Sequence, residues 1–271
     1  MQKSFFLFKS IRNIDFMADF FYERLDDIFE RRKICSGRRL KRFLQQHNFC
    51  VNGRRVFSRG QSLALFHDQL TLDGKDFKIS PDLTLVMNKA QSCLCTKSPG
   101  DYKRVYDYLK KEYFDFIKEN NLPPLHTIGR LDGNTEGLLI FTTNGSLSHK
   151  IQMPENSFPK KYFVILKDPV CSKGKKSYLE KCHHGLEIPA LWKFPPFTSA
   201  PAEVLFEDDF SCHITVTEGK FHEVKRIFAA LGNTVTYLKR ISMGAFSLPE
   251  ELCPGQSRVM TEEEILLLLK K

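Results

Sequence analysis

Between Arg31 and Arg59 stand ten basic residues and not one acidic residue. So many like charges cannot share the core of a larger domain, because an unpaired buried charge is strongly disfavoured. The segment must instead belong to a small unit rich in surface. Residues 1–80 carry 16 Lys and Arg against 9 Asp and Glu, a surplus of seven, whereas residues 81–271 carry 25 against 23, a surplus of two. A small basic unit joined to a near-neutral body suggests a polyanion-binding module, with nucleic acid as its partner. A length of 271 residues suits one larger domain plus a small one. At 42% apolar residues with 24 Phe, general disorder is excluded.

Within residues 22–79, Leu25, Ile28 and Phe29 share one helix face. Ser36 is an expected N-cap for a second helix, with Leu40, Phe43 and Leu44 turned inward and Arg38, Arg39, Lys41 and Arg42 turned outward. Val51–Val56 reads as a hairpin, since Asn52-Gly53 supplies the positive φ angles of a type I′ turn. Leu70–Gly74 suggests another strand and turn, and Ile79–Asp82 a linker broken by Ser80-Pro81. Beyond it, strands are expected at 83–87, 138–141, 162–166, 213–216 and 235–238. Helices are expected around Tyr102, Val105, Leu109 and Phe116, and over Val224–Leu231 before Gly232. Thr261-x-x-Glu264 is a capping box ahead of a last apolar helix. This mixture implies an α+β fold: a small N-terminal α/β RNA-binding domain over 22–79, then a larger domain over 83–271 with a mostly antiparallel mixed sheet.

Eight cysteines include no C-x-x-C pair, so they read as mostly buried, reduced thiols of a cytoplasmic protein. No ligand spacing suggests a metal, and no apolar run approaches the roughly 20 residues of a membrane span. Residues 1–16 fit no recognisable element, which makes Met17 an alternative start.

The stretch Gly129-Arg130-Leu131-Asp132-Gly133-Asn134-Thr135-Glu136-Gly137-Leu138-Leu139 sets a charged pair in a glycine-bounded loop ahead of a buried strand. Loops on rigid strands often carry catalytic groups, although such an Asp can equally cap a turn. The pattern Gly-Arg-Leu-Asp-x-x-Thr-x-Gly-Leu-Leu resembles the signature of the RsuA/RluB branch of pseudouridine synthases. Further segments agree in order. They are Asn144-Gly145 with Ser148-His149-Lys150 and Pro154, Lys160-Lys161-Tyr162, Thr217 to Phe228, Leu231-Gly232-Asn233, and Leu238-x-Arg240-x-x-x-Gly244. The N-terminal unit is similar to a small RNA-binding domain shared with a ribosomal small-subunit protein. The resemblance covers about residues 22–271. One departure stands out: where the family has Asn-Lys-Pro-x-Gly, this chain has Asn88-Lys89-Ala90-Gln91-Ser92, a change expected to loosen that loop.

The resemblance implies an RNA isomerase that uses no cofactor and no metal. Asp132 would be its catalytic carboxylate, either attacking the sugar or abstracting a sugar proton. Burial alone would disfavour the ionised form, so a cation must lie nearby. Lys225 matches the family's basic partner, with Arg226 the adjacent alternative. Tyr162 matches the aromatic that stacks on the uracil and assists removal of the C5 proton. Arg130, Thr135, Arg226 and Leu238 would bind substrate at the site, and Arg38, Arg39 and Arg42 would bind RNA phosphates. His222 is a further RNA contact. The implied partner is ribosomal RNA or an assembling ribosomal subunit, approached by a monomer with no membrane attachment. Details near Thr198–Val204 and in the last stretch look most like the RsuA type, which modifies small-subunit 16S RNA. Large-subunit 23S enzymes of the RluB, RluE and RluF type are the nearest alternative. A non-catalytic RNA-binding assembly factor, suggested by the altered Ala90–Ser92 loop, is the alternative from another class.

Overall fold

A computed structural model describes residues 22–192 and 194–271. The expectations for residues 1–16 and for Met17 lie outside the described residues. The described residues form two compact units: one holds those from Tyr22 to Leu83 together with Lys110–Leu125, the other Thr84–Leu109 together with the described residues from His126 to Lys271.

In the first unit, α1 (Leu25–Arg31) and α2 (Gly37–Gln46) pack beside a four-stranded sheet. Its strands are β1 (Phe49–Val51), β2 (Arg54–Arg55), β3 (Leu70–Leu72) and β4 (Lys75–Asp76), in the order β2-β1-β3-β4. Leu25, Ile28, Phe29, Leu40, Leu44 and Phe49 form its core, each at most 1% exposed. The outward face of α2 presents Arg38, Arg39, Lys41 and Arg42, all exposed. Asn52 and Gly53 both take positive φ, 49° and 76°, closing the β1–β2 hairpin as the sequence predicts. Ser36 does occupy the N-cap of α2, but its backbone carbonyl, not its side chain, receives Arg39 N at 2.8 Å. The segment before Leu83 is bound rather than loose: Asp82 pairs with Arg31 at 2.8 Å and with Arg32 at 3.3 Å.

The second unit is built on β5 (Thr84–Lys89), β6 (Glu136–Thr142), β7 (Lys160–Leu166), β8 (Glu203–Phe206), β9 (Ser211–Val216), β10 (Val235–Met243) and β11 (Ser257–Val259). Their order is β8-β9-β7-β10-β6-β5-β11, and of these pairings only β6 with β10 is parallel. The central strands are apolar on both faces, as Leu138–Phe141 shows at 0% exposure, which is why they read as continuous apolar runs. Around the sheet lie α4 (Gly145–Gln152), α5 (Ser172–His184), α6 (Glu223–Ala230) and α7 (Glu262–Leu269). The capping box expected at Thr261 and Glu264 forms in full.

The helix expected through Tyr102 and Phe116 is instead two elements. Val105–Tyr108 is a 3₁₀ turn closed by Asp107, which accepts from Arg104 N at 2.9 Å, and α3 (Lys111–Glu119) follows within the first unit. Leu109 and Lys110 are extended between them, so the apolar spacing straddled a break. The cysteines also differ from expectation. Only Cys93, Cys182 and Cys212 are buried, and Cys171 and Cys253 are exposed.

The loop after β5 keeps its ties despite lacking Pro and Gly. Ser92 N donates to Gly133 O at 2.9 Å, and Ser92 adopts φ +58°, the left-handed region that favours glycine. The residue is exposed and its side chain fills no core. Ser92→Gly is therefore expected to raise the unfolding free energy by about 0.5–1 kcal/mol, the relief of left-handed strain less glycine's chain entropy. Urea denaturation measures this, and a destabilised variant would contradict it.

Candidate active site

The parallel pairing of β6 with β10 sets Glu136 opposite Lys239 and Gly137 opposite Arg240. It holds the 129–135 loop against the middle of β10. Gly137 has φ +99°, and a Cβ there would lie 2.2 Å from Arg240 O, so the close approach of the two strands requires glycine. On the other side of β10, Tyr162 lies opposite Arg240 and Val164 opposite Leu238, which places all four side chains on one face.

That face borders a cavity of about 380 Å³. Asp132, Arg130, Thr135, Tyr162, Lys225 and Leu238 all line it. Lys225 Nζ donates to Asp132 Oδ2 at 2.9 Å and to Asn134 Oδ1 at 2.6 Å. His222 Nε2 stands 3.2 Å from Asp132 Oδ1. Both carboxylate oxygens therefore face a nitrogen from α6 or the residue just before it, while the side chain stays 28% exposed to the cavity. Burial lowers the affinity of His222 for a proton, opposed by the adjacent Asp132 carboxylate. Tyr162 is 9% exposed and Leu238 5%, so each offers a limited apolar surface to whatever fills the cavity.

Arg226, the alternative partner for Asp132, is not in this cavity. It is 7% exposed, its Nη2 donates to the carbonyls of Pro189 at 2.8 Å and Pro195 at 3.1 Å, and its guanidinium lies over the Phe197 ring. The structure therefore does not bring Arg226 to the substrate contact expected of it, since its Nη2 is taken up by a loop outside the cavity. Arg38, Arg39 and Arg42 belong to the other unit. Asn134 and the pairing of His222 with Asp132 were not anticipated. Both lie inside the recognised motifs, and a search of those motifs for a second polar group able to reach the Asp would have found them.

The Asp132 loop is fastened from beneath. Lys89, fully buried, donates to Ala90 O at 3.0 Å, Gly133 O at 3.2 Å and Thr135 O at 2.8 Å. The altered loop is thus tied to the Asp132 loop through Lys89. A second charged cluster also lines the cavity. Glu223, 6% exposed, is pushed up to about 7, chiefly by burial and then by the adjacent Glu218 carboxylate. Lys160 is pushed down to about 8, first by burial and then by Arg240. Its Nζ is held by Phe158 O at 2.9 Å and Thr217 O at 3.3 Å.

A model of the RNA pseudouridylate synthase family matches residues 83–230. The ribosomal small subunit pseudouridine synthase A of Pasteurella multocida is 32% identical over 243 residues, covering 89% of this chain and 97% of that protein. The protein of the same description from Haemophilus influenzae is 37% identical over 185 residues, covering 68% of this chain and 73% of the other. A crystal structure of a pseudouridylate synthase is similar with a TM-score of 0.61 and 30% identity, over 90% of this chain and 99% of that one.

The raised value at Glu223 has a testable sign. The folded state holds that proton more tightly than the unfolded chain does. The resulting stabilisation is complete below about 4.5 and is lost as pH rises through about 7. Glu223→Gln should therefore gain stability relative to the wild type, by on the order of 1–3 kcal/mol, between pH 5 and pH 8. Parallel pH profiles in urea unfolding would show that the carboxyl is not held protonated.

Proposed function

The chain belongs to the RNA pseudouridylate synthase family, and from that premise we propose that it isomerises a uridine of small-subunit ribosomal RNA to pseudouridine, with Asp132 as the reacting carboxylate. The observation that carries this reading is the Asp132–Lys225 pair at 2.9 Å on the wall of a cavity shared with Tyr162 and Leu238. The reaction breaks the N1–C1′ bond, turns the uracil and joins C5 to C1′. The composition of the nucleoside is unchanged, since the proton lost from C5 is matched by one gained at N1, and no net oxidation occurs, so the proposal calls for no cofactor. A uridine in folded RNA must first leave its stack, which costs a few kcal/mol. Tyr162 and Leu238 offset part of that by holding the base between apolar surfaces. Lys225 and His222 then fix the orientation of the Asp132 carboxylate toward the sugar, as attacking group or as base. Tyr162, against the base, would help remove the C5 proton. Arg130 and Thr135 would hold the RNA at the rim.

The choice of small-subunit RNA is supported by the relatives from Pasteurella multocida and Haemophilus influenzae, both described as acting on that subunit. On this reading the protein works as a monomer in the cytoplasm, on ribosomal RNA or on the assembling subunit. Among the described residues, no helix is long and apolar enough to cross a membrane. The small basic unit, with four exposed cations along α2, would add phosphate contacts that are not specific to sequence.

Asp132→Asn keeps the shape of the side chain and removes its charge. It is expected to reduce pseudouridine formation to background while RNA binding survives, as read by pseudouridine mapping of ribosomal RNA and by filter binding. Undiminished activity would refute the assignment. Replacing Arg38, Arg39, Lys41 and Arg42 together by Gln should weaken RNA binding and reduce the slope of log affinity against log salt by about 3. An unchanged slope would remove α2 from the docking surface.

A further inference from the structure

The segment that Arg226 holds carries the most exposed large apolar side chain among the described residues. Glu187–Ile188 pairs with Phe197–Thr198 to form the stem of a hairpin. Near its tip, Leu191 and Phe194 exchange backbone hydrogen bonds at 3.0 and 2.9 Å. Between them, Trp192 adopts φ +51° and leaves its side chain in solvent, the residue being 97% exposed. A side chain of that size buries nothing in the folded state, and the left-handed backbone that presents it is itself unfavourable. Leu191 and Phe221 add exposed apolar surface at 39% and 37%.

The hairpin runs into the cavity through stacked rings. Phe194 lies on Phe221 with centroids 3.7 Å apart and planes 11° apart, and Phe221 lies on His222 at 3.7 Å and 19°. His222 is the residue that meets Asp132. Cations flank the same surface, with Lys220 Nζ 4.3 Å from the Phe197 centroid and Lys225 on the cavity wall. An aromatic platform edged by positive charge and continuous with a nucleoside-sized cavity suits an unpaired base on a phosphate backbone.

We propose that the hairpin at 187–198 is a stacking platform on which Trp192 takes an unpaired base of the RNA beside the uridine in the cavity. The inference deepens the isomerase reading and rests on it for the identity of the ligand as RNA. Arg226 is then a positioning residue, since it fixes both arms of the hairpin through Pro189 O and Pro195 O.

Trp192 is the sole tryptophan of the chain, so intrinsic emission reports on this position alone. The Asp132→Asn protein is titrated with a small-subunit ribosomal RNA transcript, with binding followed independently by filter retention. Stacking should quench Trp192 emission in step with the bound fraction. Trp192→Ala should raise KM about tenfold, with the loss falling on KM rather than kcat, and Trp192→Phe should recover most of it. Bound RNA with unchanged emission, together with an unchanged KM in Trp192→Ala, overturns the proposal and turns the hairpin toward a protein partner. If the wild type forms no pseudouridine, the isomerase reading fails, while quenching by bound RNA still decides the platform.

Discussion

The position of Asp132 depends on a buried ammonium. Lys89 closes the end of β5 and turns its charge inward onto three carbonyls, two of them from the 129–135 loop. An unpartnered lysine at 0% exposure would be strongly unfavourable, and burial does lower its proton affinity. Those carbonyls are what keep it there, so displacing the loop would cost both the hydrogen bonds and the solvation of the charge. This is a firmer constraint than the loop's own sequence, rich in small residues, could provide. Ser92 adds a backbone bond to Gly133 from the same side. The loop is fixed at its base, and its free edge meets Lys225 and His222.

Much of this arrangement was legible in the residues, for physical reasons. Strands such as Leu138–Phe141 are buried on both faces and show as continuous apolar runs, and the Asn52-Gly53 turn and the Thr261 capping box are local devices independent of distant contacts. Elements with weak local patterns were not legible. Helix α5, over Ser172–His184, buries only Cys182 and carries Lys and His along much of its length, so it has no apolar stripe to detect. Strands β8 and β11 are short edge strands whose pairing depends on neighbours far along the chain.

At the site, the motifs favoured Lys225 over Arg226 as the partner of Asp132, but not for a reason local to the sequence. Lys225 and Arg226 are consecutive on α6 and so point about 100° apart, which allows only one of them to face Asp132. The choice is set by the phase of the helix, fixed by burial of Val224, Ile227 and Phe228 at 5%, 0% and 0%. That phase is a tertiary fact, because it depends on which face the sheet covers. The Glu218, Glu223 and Lys160 cluster was missed for the same reason. Lys160 lies 58 and 63 positions before the two glutamates, and only the fold makes them neighbours.

The consequence of that phase reaches beyond one ion pair. With Lys225 turned to the Asp132 loop, Arg226 must turn toward the hairpin at 187–198, where it binds Pro189 and Pro195 and lies over Phe197. His222, at the start of the same helix, joins Asp132 on one side and the Phe221–Phe194 stack on the other. A small rotation of α6 would therefore disturb both the carboxylate and the aromatic hairpin. A short helix that closes on both sides at once is a simple means of keeping an anion and a stacking surface in fixed register. On the proposed reading, a nucleotide drawn out of a folded RNA would need that register, because its sugar and its neighbouring base would have to be held together.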